Sequence, residues 1–308
     1  MGAESIVRVE GLSHRYSRDW AIRDISFEVD SVGVVGLLGS NGAGKSTTMN
    51  IMCGVLNQTQ GSVRIGGVDM REDPEGAKAL LGFLPQNAPL HLELTVAEYL
   101  RYCGAIRNIP GSRLTGALLE VMETCGVAHF AGRLIRNLSG GYRQRVGIAQ
   151  AIIHKPKVVV LDEPTNGLDP NQIIEVRRLI KRISERSLVI FSSHVLTEVQ
   201  AICRDVMMIE QGRIVFADSM HAFNNYVVPD SMRVRMDNAP SVQDLLDING
   251  ITQVEALNEG SLRLRFQGGI EISKKVVERS VHLGWGLREI VMEKGSLDEV
   301  FAQLSRKK

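Results

Sequence analysis

The sequence contains no apolar run near the ~18 residues that a membrane-crossing helix requires; its longest, such as VVGLL and VVVL, fall far short. Any link to a membrane must therefore run through another protein. Cysteine is scarce as well: Cys53, Cys103, Cys125 and Cys203 are the only four in 308 residues. They are too few for a disulfide scaffold and too far apart for zinc-ligand spacing, which leaves buried free thiols in a reducing compartment. Charge of one sign is missing too. A formal net charge of +1 carries none of the basic excess of a nucleic-acid binder and names no partner. The opening MGAESIVRVE reads as a first strand, not a leader, so a cytoplasmic location is expected. No internal repeat or low-complexity segment is visible. What remains, 44% hydrophobic and 23% charged over 308 residues, is enough for one large domain and a smaller one, each with its own core.

Along the chain, IVRVE, DISFEV and VGVVGLL read as strands, the last nearly all apolar and hence buried on both faces. SVRIGGVDM at 62–70 is a strand pair with a Gly-Gly turn, and LLGFLPQ at 80–86 is a short strand ending at proline. From TVAEYLRYCGAI to LLEVMETCGV the apolar period becomes 3.6, broken at NIPGS, which predicts a helical insert over about 90–150. KVVVLDEP and SLVIFSSH, separated by the helical NQIIEVRRLIKRISER, predict a mainly parallel sheet with helices on its faces. DVMMIEQGRIVFAD closes this part as a hairpin around Gly212. A domain boundary is expected at 220/221. Beyond it the order strand, helix, strand, strand, helix, strand predicts a ferredoxin-like α+β unit over 221–308 with a final helix SLDEVFAQL. Ser241 with Asp244 and Ser296 with Glu299 supply capping patterns for two of its helices.

Three stretches carry chemistry. In GSNGAGKSTT, Gly39, Gly44, Lys45 and Ser46 satisfy G-x-x-x-x-G-K-[ST] directly after a buried strand and before a helix. In this pattern backbone N–H groups and a helix N-terminus surround phosphate oxygens while the lysine adds a point charge. Glycines are needed because a Cβ would block the approach of backbone to phosphate. VVVLDEPT delivers Asp162 and Glu163 at the carboxyl end of a strand, where ligands sit in open α/β sheets. An aspartate there can hold Mg²⁺, and the adjacent glutamate can orient or deprotonate water. LSGGYRQR places Ser139, Gly140 and Gly141 at the head of a further helical run. Alone, it would read as a helix cap.

Taken together, LSGG about twenty residues before a strand ending in DEP, with the glycine loop about a hundred residues upstream, resembles the ATP-binding cassette (ABC) ATPases over residues 6 to about 218. The resemblance implies a P-loop NTPase fold, a mainly parallel core with an antiparallel β subdomain and helical insert. It also implies roles for further residues. Tyr16 matches the aromatic that stacks on adenine; Gln86 matches the glutamine that reaches Mg²⁺ and the attacking water; Asp169 in NGLDP matches the dimer-contact aspartate; and His194 matches the switch histidine at the γ-phosphate. Asn41, Gly42 and Thr47 fall within the phosphate loop. Ser46, Gln86 and Asp162 would serve Mg²⁺, and Glu163 would be the catalytic base. Ser40 stands where many relatives have proline.

The implied mechanism is that of ATP-Mg clamped head to tail between two cassettes, with Ser139, Gly140 and Gly141 completing the opposite subunit's site. With one set of motifs, this chain needs a second cassette, either its own copy in a two-fold dimer or a related chain, and of the two a homodimer is expected. GYRQRVGIAQAII and its surroundings look most like stand-alone ATPase subunits of bacterial multidrug and gliding-motility export systems, peripheral on the cytoplasmic membrane face and bound to integral membrane permease subunits. No nucleic acid is expected as partner. A soluble DNA-repair or ribosome-associated ABC ATPase is the alternative, opposed by the absence of long coiled coils and of a second cassette. For the C-terminal unit, dimer contact or regulation, a packing extension and small-ligand sensing all stay open.

Overall fold

The computed structural model describes residues 5–226, 229–257 and 260–293. The chain divides into two compact units at 220/221.

The first unit opens with an antiparallel hairpin, β1 (Val7–Tyr16) and β2 (Asp19–Val29), followed by β3 (Gly33–Leu38) and helix α1 (Lys45–Met52). Strands β4 (Gln60–Ile65) and β5 (Val68–Asp69) extend the hairpin into a four-stranded antiparallel sheet, order β2-β1-β4-β5. After α2 (Pro74–Ala79), β6 (Leu81–Leu84) leads into the helical insert, α3 (Val96–Ile106), α4 (Gly111–Thr124) and α5 (Gly140–Ile152). Then follow β7 (Val158–Leu161), α6 (Pro170–Ser184), β8 (Leu188–Ser193), α7 (Leu196–Ile202) and the hairpin β9 (Asp205–Glu210) with β10 (Arg213–Ser219). The second sheet has order β10-β9-β3-β8-β7-β6, parallel except at β10. This is the P-loop NTPase arrangement, with the antiparallel subdomain and the insert that the sequence leads one to expect.

The central strands β3 and β7 carry no polar side chain, and β8 carries none before its last two residues, Ser192 and Ser193, because both faces of these strands are covered. One face sends Val35, Leu37, Val158, Val160, Leu188 and Ile190 into a cluster shared with Met49, Ile51 and Met52 of α1 and Val9, Leu12 and Ile25 of the antiparallel sheet. Helix α1 is thus wedged between two sheets. The other face sends Val159, Leu161, Val189 and Phe191 toward the helices, all at 0–1% exposure. Each such side chain contributes about 1.5–3 kcal/mol by leaving water, which makes this sheet the rigid platform of the unit.

Register decides where the strands stop. Leu84 pairs with Leu161, Leu161 with Phe191, and Leu38 with Ser193. The carboxyl ends of β6, β7, β8 and β3 therefore lie along one edge, and Gln86, Asp162, Glu163, His194 and Gly39 all leave the sheet there. Three short helices are not expected from the sequence: α2, α7 and α8 (Met220–Tyr226), with six, seven and seven residues. None is long enough to display a repeating 3.6 period.

The second unit opens with α8 (Met220–Tyr226), whose first residue is the last of the first unit. Its strands are β11 (Ser231–Met236), β12 (Ile251–Ala256), β13 (Ser261–Phe266) and β14 (Leu287–Glu293), with α9 (Val242–Leu246) and α10 (Glu271–Leu283) between them. The all-antiparallel order β12-β13-β11-β14 is that of a ferredoxin-like sheet. Strict alternation turns Met232, Val234, Leu264 and Phe266 inward onto Ile272, Val276 and Trp285. The opposite face carries Arg263, which donates to Glu293 (2.6 Å) and Glu255 (3.2 Å). Ser241 and Asp244 form the expected reciprocal cap of α9. The expected cap at Ser296 and Glu299 and the final helix lie outside the described residues.

Candidate active site

The loop 39–44 connects β3 to α1 and is shaped by backbone crowding. A Cβ on Gly39 would lie 2.5 Å from the Ile209 carbonyl oxygen, and Gly44, the N-cap of α1, has φ 108° with a hypothetical Cβ 2.6 Å from Ile22. Both positions exclude larger residues. The first-turn N–H groups of α1 have no partner within the helix. Gly44 supplies no side-chain cap and no acidic residue stands in the first turn. That end is a ready anion site. Lys45, 5% exposed, folds back over the loop and donates to the carbonyls of Gly39 (2.9 Å) and Ser40 (3.0 Å). Burial pulls its pKa down from the usual lysine range, opposed by the carboxylates of Glu163 and Asp162. A lysine so desolvated gains from an added anion. Ser46 and Asn41 are exposed and Thr47 is half-buried, while Thr48 donates to the Gly44 carbonyl at 2.9 Å.

Glu163 is the hub of the edge. Its carboxylate lies 3.7 Å from Lys45 Nζ and 3.2 Å from His194 Nδ1, and it accepts from Gln86 Nε2 at 3.4 Å. It is only 9% exposed. Its backbone sits in the left-handed region, φ 46°, a conformation costing about 1–2 kcal/mol for a residue with a Cβ and one that collects at functional sites. The conformation is tied down by Ser192, whose hydroxyl accepts from Glu163 N (2.9 Å) and donates to Asp162 Oδ1 (2.5 Å). One hydroxyl thus holds the two adjacent acids, and sequence reasoning did not single it out.

A second buried group was also missed. Glu198 on α7 accepts from the hydroxyls of Thr165 (2.7 Å) and Ser193 (2.8 Å), both at Oε2.

The remaining candidates lie away from this cluster. Tyr16 ends β1 at 52% exposure, edge-on to His14 with ring centroids 4.7 Å apart. Ser139 is the N-cap of α5 without a side-chain cap bond, exposed like Gly140, while Gly141 is buried against Gln172. Among the described residues none of the three bonds to the Glu163 cluster. Asp169 caps α6, accepting from Gln172 N at 2.9 Å.

Residues 22–166 match the ABC transporter family model. The chain is 36% identical over 216 residues to the lipopolysaccharide export system ATP-binding protein LptB of Haemophilus influenzae, covering 68% of this chain and 89% of that one. The chain belongs to the ABC transporter family of ATPases. The bacitracin transport ATP-binding protein BcrA of Bacillus licheniformis is 29% identical over 307 residues, 97% of both chains, so this ABC likeness takes in the second unit. Among solved structures, cbiO1 from Clostridium perfringens, part of the ABC transporter complex cbiONQ, superposes with a TM-score of 0.65 at 25% identity, over 72% of this chain and 91% of that one.

ABC ATPases bind ATP, and the donors at this edge fit a magnesium ion as well. The serine hydroxyl, glutamine amide and aspartate carboxylate of Ser46, Gln86 and Asp162 are hard oxygen ligands. Among the described residues no cluster of three or more His, Cys, Asp or Glu could cage a metal. Magnesium, which takes one or two carboxylates and completes its shell with water and substrate phosphates, does not need one. Among the described residues no helix is long and apolar enough to cross a membrane.

Proposed function

We propose that this ABC ATPase is the ATP-binding subunit of an exporter. In this reading it pairs head to tail with a second copy of itself and drives separate integral membrane permease subunits from the cytoplasmic face of the membrane. The observation that carries the catalytic part is the convergence of Lys45, Gln86 and His194 on one buried carboxylate, Glu163. The loop 39–47 holds the phosphates and Lys45 neutralises them. Magnesium, held through Ser46, Gln86 and Asp162, supplies charge neutralisation at the phosphates. Glu163 accepts a proton from the attacking water; His194 orients this carboxylate through the 3.2 Å contact and touches the γ-phosphate. Tyr16 stacks on adenine. Ser139, Gly140 and Gly141 act on the partner cassette's nucleotide, which is consistent with an α5 start that is exposed and has no side-chain cap, and Asp169 lies in the dimer contact.

Residues 1–220 serve as the ATP-binding domain and 221–308 as an accessory domain. Export is supported by the likeness to an export-system ATP-binding protein, and the permease by the likeness to a subunit of a transporter complex. The Glu163→Gln variant tests the dimer: with ATP and magnesium it should elute at twice the monomer mass by light scattering and return to monomer on dilution into nucleotide-free buffer. A variant that stays monomeric at saturating ATP would sink the head-to-tail reading. Recovery of the tagged chain with a polytopic membrane protein supports the permease; recovery with ribosomes or DNA overturns it.

A further inference from the structure

We propose that Glu198 is a positioning residue for ATP hydrolysis, one carboxylate oxygen that locks the loop after β7 to the end of β8 and so sets His194 against Glu163. This deepens the proposed use of Glu163 and His194 and rests on it.

The geometry is specific. Glu198 sits in the first turn of α7 at 7% exposure, where water cannot solvate its charge, and a buried carboxylate is costly unless its hydrogen bonds are met. The helix N-terminus is a favourable place for it. Its Oε2 accepts from Thr165 Oγ1 at 2.7 Å and from Ser193 Oγ at 2.8 Å. Ser193 Oγ in turn accepts from Val195 N at 3.0 Å. Thr165 is two residues beyond Glu163, while Ser193 and Val195 flank His194. Thr165 lies in the loop after β7 and Ser193 is the last residue of β8, yet a single atom accepts a hydrogen bond from each, so the separation of the loop from the strand end cannot change without breaking one of two short bonds. Across the same gap His194 Nδ1 stands 3.2 Å from Glu163 Oε1.

The outer oxygen is held more loosely. Arg177 Nη2 of α6 lies 3.9 Å from Glu198 Oε1, beyond hydrogen-bond range, and Arg177 Nε is buried without a hydrogen-bond partner. The charge partner is thus distant and the two hydroxyl bonds are short. The clamp works as an acceptor, and its charge is secondary.

That distinction makes the proposal testable. Steady-state ATPase kinetics of the full chain with ATP and magnesium would be measured for Glu198→Ala and Glu198→Gln. The glutamine keeps an oxygen that can accept both hydroxyl bonds. The expected result is a kcat loss of roughly 10- to 100-fold for Glu198→Ala, a KM within about 3-fold, and recovery to within about 3-fold of the parent kcat in Glu198→Gln. A merely structural role would lower the melting temperature and the active fraction without this split between the two variants. Thr165→Val, nearly isosteric and removing one of the two hydroxyls, serves if Glu198→Ala does not fold; about a 5- to 10-fold kcat loss at unchanged KM is expected. Unchanged kcat in Glu198→Ala or in Thr165→Val overturns the proposal, as does a glutamine variant as slow as the alanine one. Glu163→Gln run in parallel separates the two readings. If it turns over normally, the base assignment has failed, whatever Glu198 does.

Discussion

Replacing Ser192 by alanine should be costly although Ser192 touches no predicted site atom except Asp162 and Glu163. Its hydroxyl is fully buried and makes two bonds: it donates to the Asp162 carboxylate at 2.5 Å and accepts from the Glu163 N–H at 2.9 Å. Losing a charge-assisted bond costs about 1.5–3 kcal/mol and a neutral one about 0.5–1.5 kcal/mol, the more so because both partners stay buried and unmet. The sum is roughly 2–4.5 kcal/mol of stability. Activity should fall by a second route. The left-handed backbone of Glu163 (φ 46°) loses the anchor that holds it, and a displaced carboxylate no longer faces Lys45, Gln86 and His194. A kcat loss of about 10-fold or more follows from misplacement of that size. Urea unfolding followed by circular dichroism, together with ATPase kinetics at saturating nucleotide, would measure both. An alanine variant within about 0.5 kcal/mol of the parent and with unchanged kcat would refute the idea that this hydroxyl positions the acidic pair.

Other outcomes follow from the same structure. Gly39→Ala places a Cβ 2.5 Å from the backbone oxygen of Ile209; overpacking of this kind costs about 1–3 kcal/mol and shifts the loop, so ATP affinity measured by calorimetry should drop by at least about 10-fold. His154, whose Nε2 lies 3.1 Å from the Leu81 carbonyl, is kept neutral by burial, with Arg107 adding to the effect, and its pKa is lowered to about 4. The unfolded chain, with histidine near 6.5, then binds the extra proton between these values, so the contribution is present above about pH 6.5 and lost as pH falls toward 4. Between pH 8 and pH 5 that loss is about 2 kcal/mol, and His154→Gln should flatten this part of the pH dependence in urea titrations.

How much of this could be read from residues alone varies with the range of the interaction. The buried strands announced themselves because two covered faces leave no polar position, as in VVVL and VVGLL. The phosphate loop was legible because its constraint is local: six positions along one turn decide whether backbone can approach an anion. That Lys45, Gln86, Asp162, Glu163 and His194 meet at one edge depends on sheet register, with Leu84, Leu161 and Phe191 in line, and only the family resemblance suggested it. Ser192 and Glu198 were invisible for a different reason. Apart from the nearby Ser193, their partners Asp162, Glu163 and Thr165 are some 30 residues away in sequence, and serine and glutamate are ordinary surface residues. Nothing in SSHVLTE says that three of its side chains, Ser192, Ser193 and Glu198, are buried. Helix α7 was missed with them, seven residues being too short to show a period.

The most direct test of the central claim is single-site chemistry at Glu163. With a saturating ATP-magnesium supply, Glu163→Gln should bind ATP within about 3-fold of the parent while its hydrolysis rate falls by about 100-fold or more, the range expected when a general base is removed. Hydrolysis at the parental rate, with nucleotide bound normally, would contradict the assignment of water activation to this carboxylate.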